Sequence, residues 1–144
     1  MELEVGLDTF RPIAAETIED HVMHRERYIV PEQAVAAVAA CRLRGGRVVA
    51  VGTTVVRTLE AASGDGGLIA GEGDTDLFIV PGFRPSVVNA LITNFHAPAT
   101  TLTVMIAALL GRDWRAVYEA ALARGYRFLS FGDSMFIDDL TRDA

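Results

Sequence analysis

The stretch ALITNFHAPATTLTVMIAALLG, Ala90 to Gly111, decides how this chain is read. The apolar run that leads into it, VVNALI (Val87 to Ile92), is short and rich in β-branched residues, which suits a strand. The second run, TLTVMIAALL, is too long for an average strand and ends at Gly111. It predicts a helix capped by Thr100 or Thr101 and closed by glycine. Between them stand Thr93-Asn94-Phe95-His96 and a turn at Pro98. Two apolar runs need only a short turn to join them, and nothing in packing asks for Asn and His. The polar insert is expected between a strand and a helix, where α/β folds place their ligands.

Working outward, Arg47 to Val51 (RVVAV) reads as a strand of the kind buried on both faces of a parallel sheet, followed by Gly52-Thr53-Thr54 and a helix from about Val55 to Ala62. Upstream, Glu2 to Val5 begins a strand, Asp8 to Asp20 with Pro12 reads as a loop, and Arg25 to Val30 as a short strand. Pro31 opens a helix whose buried stripe is Ala34, Val35, Val38 and Ala39 and which Gly45-Gly46 ends. Downstream, a glycine-rich loop (Ser63 to Gly73) leads to a strand over Asp76 to Val80. A helix over Asp113 to Arg124 stops at Gly125, and a strand covers Tyr126 to Ser130. Strands alternating with helices predict a single α/β domain over 1–144, a layered fold with a largely parallel sheet flanked by helices.

Composition narrows the function. Hydrophobic residues make up 51% of the chain, so a folded globular class is expected. No apolar run approaches the roughly 20 residues that cross a bilayer, and MELEVGLDTF has no signal pattern, so a cytoplasmic protein without membrane partners is expected. One cysteine, Cys41, excludes an internal disulfide and a cysteine metal cage. All 13 basic residues are Arg, which removes a Walker-type lysine, a Schiff-base lysine and a lysine base together. A net charge of −6 argues against a generic nucleic-acid binder, although Arg42, Arg44 and Arg47 leave room for a local patch.

Three constellations can carry chemistry. Glycine after a strand allows a tight turn, so Gly52, Thr53 and Thr54 can present helix-terminal N–H groups to an anion, with Arg57 completing the site. Alternatively, a threonine merely caps the helix while Arg57 pairs with Glu60. His96 is a candidate acid or base and Asn94 a candidate orienting amide, unless His96 only bonds backbone in a turn; Thr103, one turn into the helix, is expected to matter little. Asp133 and Ser134 lie near the last strand, and no spacing rule ties them to His96. His21 and His24, at i and i+3, lack an evident third ligand. They read as a solvated loop or a substrate-facing edge, and no metal is expected.

The blocks IEDHVMHRE, VGTTVVRTLE, FIVPGF, ALITNFHAPATTL and YRFLSFGDSMFI resemble, in order and approximate spacing, S-adenosylmethionine:tRNA ribosyltransferase-isomerase, a family of queuosine biosynthesis. Family members are considerably longer. The chain resembles the C-terminal part of such a two-domain enzyme, without the N-terminal part and the inserted β-barrel. The resemblance implies transfer and isomerisation of the ribosyl moiety of S-adenosylmethionine onto the 7-aminomethyl-7-deazaguanine of tRNA, giving epoxyqueuosine and releasing adenine and methionine. It implies no cofactor, because S-adenosylmethionine is consumed, and tRNA as the partner of the full-length enzyme. That chemistry needs a base near an acidified carbon beside a sulfonium and help for departing adenine, roles that fall to His96 and Asp133; Gly52, Thr53, Thr54, Arg57, Asn94, His21, His24 and Ser134 fall to substrate binding. The chain departs from the family pattern at Asp8, Val80, Ala97 and Ser134, where Gly, Tyr, Leu and Ala are usual, and keeps the polar centres. Competing expectations are an α/β transferase that uses S-adenosylmethionine as a methyl donor, and a non-catalytic subunit or fragment that self-associates.

Overall fold

Short strands separated by helix-length segments leave each strand few partners, and the described residues form three small sheets. The computed structural model describes residues 1–6, 13–15, 17–18 and 20–140; the expected Asp8 to Asp20 loop, with Asp8 and Pro12, lies largely outside them. In chain order the elements are β1 (Glu2–Leu3), β2 (Glu26–Val30), α1 (Glu32–Leu43), β3 (Val49–Val51), α2 (Thr53–Ala61), β4 (Ser63–Gly64), β5 (Gly67–Leu68), β6 (Gly71–Thr75), β7 (Ala90–Asn94), α3 (Thr101–Leu110), α4 (Trp114–Ala123) and β8 (Ser134–Ile137). The sheets run β1-β2-β6, β3-β7-β8 and β4-β5.

The α/β layering is as expected, but the sheet is not largely parallel. Among the described strand pairs only β3 and β7 run parallel, with Ala50 opposite Leu91; the other four pairs are antiparallel. Two expected strands are absent. Asp76–Val80 pairs with no described strand, because β6, inside the supposed glycine-rich loop, has taken the edge of β2. Tyr126–Ser130 is irregular and ends in a short 3-10 turn, because β8 occupies the edge of β7.

Side chains alternate across a strand, and only one face of β3-β7-β8 is covered. Ala50, Leu91, Met135 and Ile137 on that face join Val56 and Leu59 of α2 and Met105, Ile106 and Leu109 of α3 in the core. On the other face Val51, Ile92 and Phe136 lie in one row across the three strands and are 66%, 36% and 58% exposed. The expectation that RVVAV is buried on both faces is therefore corrected. The α1 stripe is corrected too: none of its residues is fully buried, Val38 touches the core and Ala39 is exposed.

Two polar anchors fix α2. At its end Glu60, buried, accepts hydrogen bonds from the backbone N–H groups of Ser86, Val87 and Val88 at 2.8 to 3.0 Å, tying the helix to the approach of β7. In its second turn the Arg57 guanidinium donates to Glu26 of β2 and, through Nε, to the Leu77 carbonyl at 3.1 Å. These contacts aim the start of α2 at the end of β7.

Candidate functional site

The site begins with a turn that only glycine adopts easily. Gly52, at φ 98°, closes β3 and donates to the Ile92 carbonyl at 2.8 Å, which seats the start of α2 beside β7. Among the described residues no side chain caps α2, so its first N–H groups, at Thr53 and Thr54, have no capping partner there. Thr53 is buried and Thr54 exposed.

On the neighbouring strand, Thr93 and Asn94 are the last residues of β7, not part of a loop as the sequence suggests. Phe95 then buries its ring among Tyr118, Tyr126 and Phe128, with centroids 5.0 to 5.7 Å apart, and so pins the turn. His96 follows: its backbone N–H donates to the Tyr118 hydroxyl at 3.1 Å, and its Nε2 lies 3.0 Å from Thr93 Oγ1. The Ala97 carbonyl accepts from Thr100 Oγ1 at 2.9 Å and from Thr103 Oγ1. Thr100 caps α3, as expected, by accepting from the Thr103 N–H. Thr103 is thus part of the loop's support and not the spectator the sequence suggests.

These elements enclose a cavity of about 460 Å³ with Thr53, Thr54, Asn94, His96, Ala97 and Thr100 among its lining, completed by Val5, Leu102, Leu129 and Ser130. Two non-glycine residues among those described hold left-handed backbone, Ala99 (φ 55°) and Leu129 (φ 63°). Leu129 lines the cavity and Ala99 sits in the loop between Ala97 and Thr100. Such strain, of order 1–3 kcal/mol each, concentrates at functional sites. Burial pushes His96 down to about 4, so the ring is neutral at pH 7. Its Nδ1 has no partner among the described residues.

The other sequence-derived candidates fall elsewhere. Arg57 does not complete an anion site: it is 4% exposed and committed to Glu26, and Glu60 is not its partner either. His24 Nε2 lies 3.0 Å from Glu26 Oε1, which puts His24, Glu26 and Arg57 in one cluster outside the cavity. His21 rests edge-on against Phe78 at 5.2 Å. Asp133 precedes β8. Its Oδ2 accepts from Arg127 N and Nε at 2.6 and 3.0 Å, and those bonds hold its carboxyl below the usual range. No hydrogen bond joins it to His96; its backbone carbonyl accepts from Asn94 Nδ2 at 3.3 Å. Ser134 is exposed and opposite Asn94 in the β7–β8 register. Arg42 and Arg47, part of the possible basic patch, are bonded to the carbonyls of Ser86 and Asp138.

Sequence reading missed Glu26, Tyr118, Leu129 and Ser130. An Arg on the buried stripe of α2, beside Val56, signals a buried acid, and Trp114 and Tyr118 one turn apart signal an aromatic anchor. No local pattern announces Leu129 or Ser130.

Residues 1–137, which carry this whole arrangement up to the end of β8, match the family model described as "Queuosine biosynthesis protein". The chain belongs to that family. Among its relatives, the S-adenosylmethionine:tRNA ribosyltransferase-isomerase of Geobacter sulfurreducens is 56% identical over 138 residues, 94% of this chain and 40% of that one. The Trichlorobacter lovleyi protein of the same name is 53% identical over 137 residues, with the same coverage. The crystal structure of S-adenosylmethionine tRNA ribosyltransferase from Thermotoga maritima superposes with a TM-score of 0.73 and 48% identity, covering 78% of this chain and 40% of that one. The chain therefore spans about 40% of the length of the curated relatives it matches. No helix among the described residues is long and apolar enough to cross a membrane.

Proposed function

We propose that this chain carries the reacting centre of a ribosyltransferase-isomerase, moving the ribosyl moiety of S-adenosylmethionine onto the 7-aminomethyl-7-deazaguanine of tRNA to give epoxyqueuosine, with release of adenine and methionine. The observation that supports this most is the single cavity into which the GTT turn and the TNFHAP segment both open. A neutral His96 beside a cationic sulfonium avoids like-charge repulsion, and as the titratable side chain in the cavity lining it is the group that takes the proton from the carbon acidified by that sulfonium. Thr93 orients the ring. Asp133, outside the cavity, acts through its carbonyl by positioning Asn94, in place of the catalytic role its motif suggests. S-adenosylmethionine is consumed, no further cofactor takes part, and the setting is cytoplasmic.

The isolated chain is not expected to turn over. It spans about 40% of its relatives' length, and a net charge of −6 without Lys gives tRNA few phosphate contacts. The test is to splice residues 1–137 in place of the matching region of the Geobacter relative and analyse small products by mass. Adenine plus methionine from the spliced enzyme is expected; S-adenosylhomocysteine would establish methyl transfer instead, and no product from a folded chimera would refute the reading.

The bare row Val51, Ile92 and Phe136 favours a second reading, in which two copies of the chain associate through this face. Sedimentation should then show a dimer that Val51→Glu dissociates. A monomer at all concentrations would remove this reading.

A further inference from the structure

We infer that Thr93 sets the tautomer of His96, keeping the ring hydrogen on Nε2 so that Nδ1 is the nitrogen that takes the substrate proton. The pairing of Thr93 with the ring stands on geometry alone; the choice of nitrogen rests on the ribosyl-transfer reading. Thr93 lies on the same face of β7 as Leu91, where the core would take an apolar side chain. It is 5% exposed, and a buried hydroxyl needs a partner. That partner is His96 Nε2, at 3.0 Å.

A hydroxyl both donates and accepts, whereas a neutral imidazole has one N–H and one lone pair. Were Thr93 the donor, it would occupy the ring's one lone pair and Nδ1 would carry the hydrogen, leaving no nitrogen to receive a proton. With Thr93 as acceptor, the Nε2–H is engaged and the Nδ1 lone pair is kept. The ring is not needed to hold the turn, because the His96 backbone N–H is bonded separately to the Tyr118 hydroxyl at 3.1 Å. In the transfer the substrate C–H bond breaks, its electron pair stays on the carbon beside the sulfonium, and Nδ1 forms the new N–H bond. The Nε2–H bond to Thr93 then becomes charge-assisted and roughly twice as strong, so it stabilises the transition state more than the ground state. Thr93 is a positioning residue that acts through His96.

The test labels the histidines of the 144-residue chain with nitrogen-15 and reads their ring nitrogens by long-range NMR correlation at pH 7.5; His96 is identified by the signals lost in His96→Gln. Nε2 should appear protonated and Nδ1 unprotonated. Thr93→Val should shift the tautomer ratio about fivefold toward Nδ1–H, the effect of one hydrogen bond, and Thr93→Ser should restore it. In the spliced enzyme, Thr93→Val should slow adenine release about tenfold at unchanged half-saturating S-adenosylmethionine, and Thr93→Ser should recover most of the rate. A native ring protonated at Nδ1 would overturn the inference, as would a Thr93→Val enzyme with an unchanged rate or with only its half-saturation moved. If Thr93→Val does not fold, the native ring decides alone; if the chain gives no dispersed spectrum, the labelled spliced enzyme is read in the same way. An Nε2–H ring with full adenine release from His96→Ala would refute the base reading and keep Thr93 as the residue that sets the tautomer. An Nδ1–H ring with release abolished in His96→Ala would keep His96 in the reaction and refute this inference.

Discussion

Two polar groupings lie on either side of the first turns of α2, and they differ in what is left over. In the first, Glu26, Arg57 and His24 close on one another away from open volume: both members of the ion pair are buried, Glu26 also accepts from the Gly6 N–H at 3.2 Å, and a single donor, Arg57 Nη2, is left without a partner among the described residues. In the second, Thr54, Asn94 and His96 line open volume, and the Nδ1 of His96 and the Thr53 and Thr54 amides have no partner among the described residues. Arg57 and Thr54 are three residues apart, and each looks functional in the sequence. The difference teaches that a charge is scaffold when its partner is inside, and that chemistry sits where modest groups are held in place with valences to spare.

The sharpest way to break this contrast is Arg57→Ala. It leaves the Glu26 carboxylate buried without its cation, a loss of about 3–5 kcal/mol, read as a drop in the urea midpoint. Ligand affinity in whatever remains folded should not change. A stable variant with weakened binding would return Arg57 to the site.

A second prediction uses pH. The folded pKa of His96, about 4, lies below the unfolded value near 6.5, so the folded state prefers the neutral ring. Its contribution is fully present above pH 6.5 and is lost as pH falls toward 4. Allowing for the ring's partial exposure, the loss is about 2 kcal/mol between pH 7 and pH 4. Chemical denaturation at both values should show this component in the native chain and not in His96→Gln; equal slopes would mean that His96 titrates normally.

Smaller effects follow. Thr103→Ala removes a hydroxyl that supports the Ala97 carbonyl and should cost about 1 kcal/mol. Leu122→Ser, on the exposed side of α4, should stay within about 0.5 kcal/mol and serves as the control for every other variant. A Thr103 effect no larger than the control would show that the loop is held by other means.

Much of this was legible in the residues. The helix after Thr100 and its closure at Gly111 followed from capping chemistry, and Gly52 from the turn it must make. Asn94 and His96 stood out because packing gave no reason for them. What stayed hidden depended on distant partners. Gly71–Thr75, poor in strand formers, is a strand because β2 offers an edge, whereas the better-looking Asp76–Val80 has none. Arg57 looked like an anion ligand because the sequence does not say that Glu26, 31 residues earlier, reaches it. Leu129 enters the cavity through a left-handed backbone and a hydrogen bond to the Phe95 carbonyl at 2.8 Å, neither of which a leucine announces.

The most direct test of the claim that the open grouping reacts while the closed one supports is adenine release by the spliced enzyme carrying His96→Ala, with folding checked by circular dichroism. Loss of an acid–base group should lower single-turnover release by roughly 100-fold or more while the fold is kept. Release within a few-fold of the unsubstituted enzyme would contradict the claim and make His96 a structural residue of the turn.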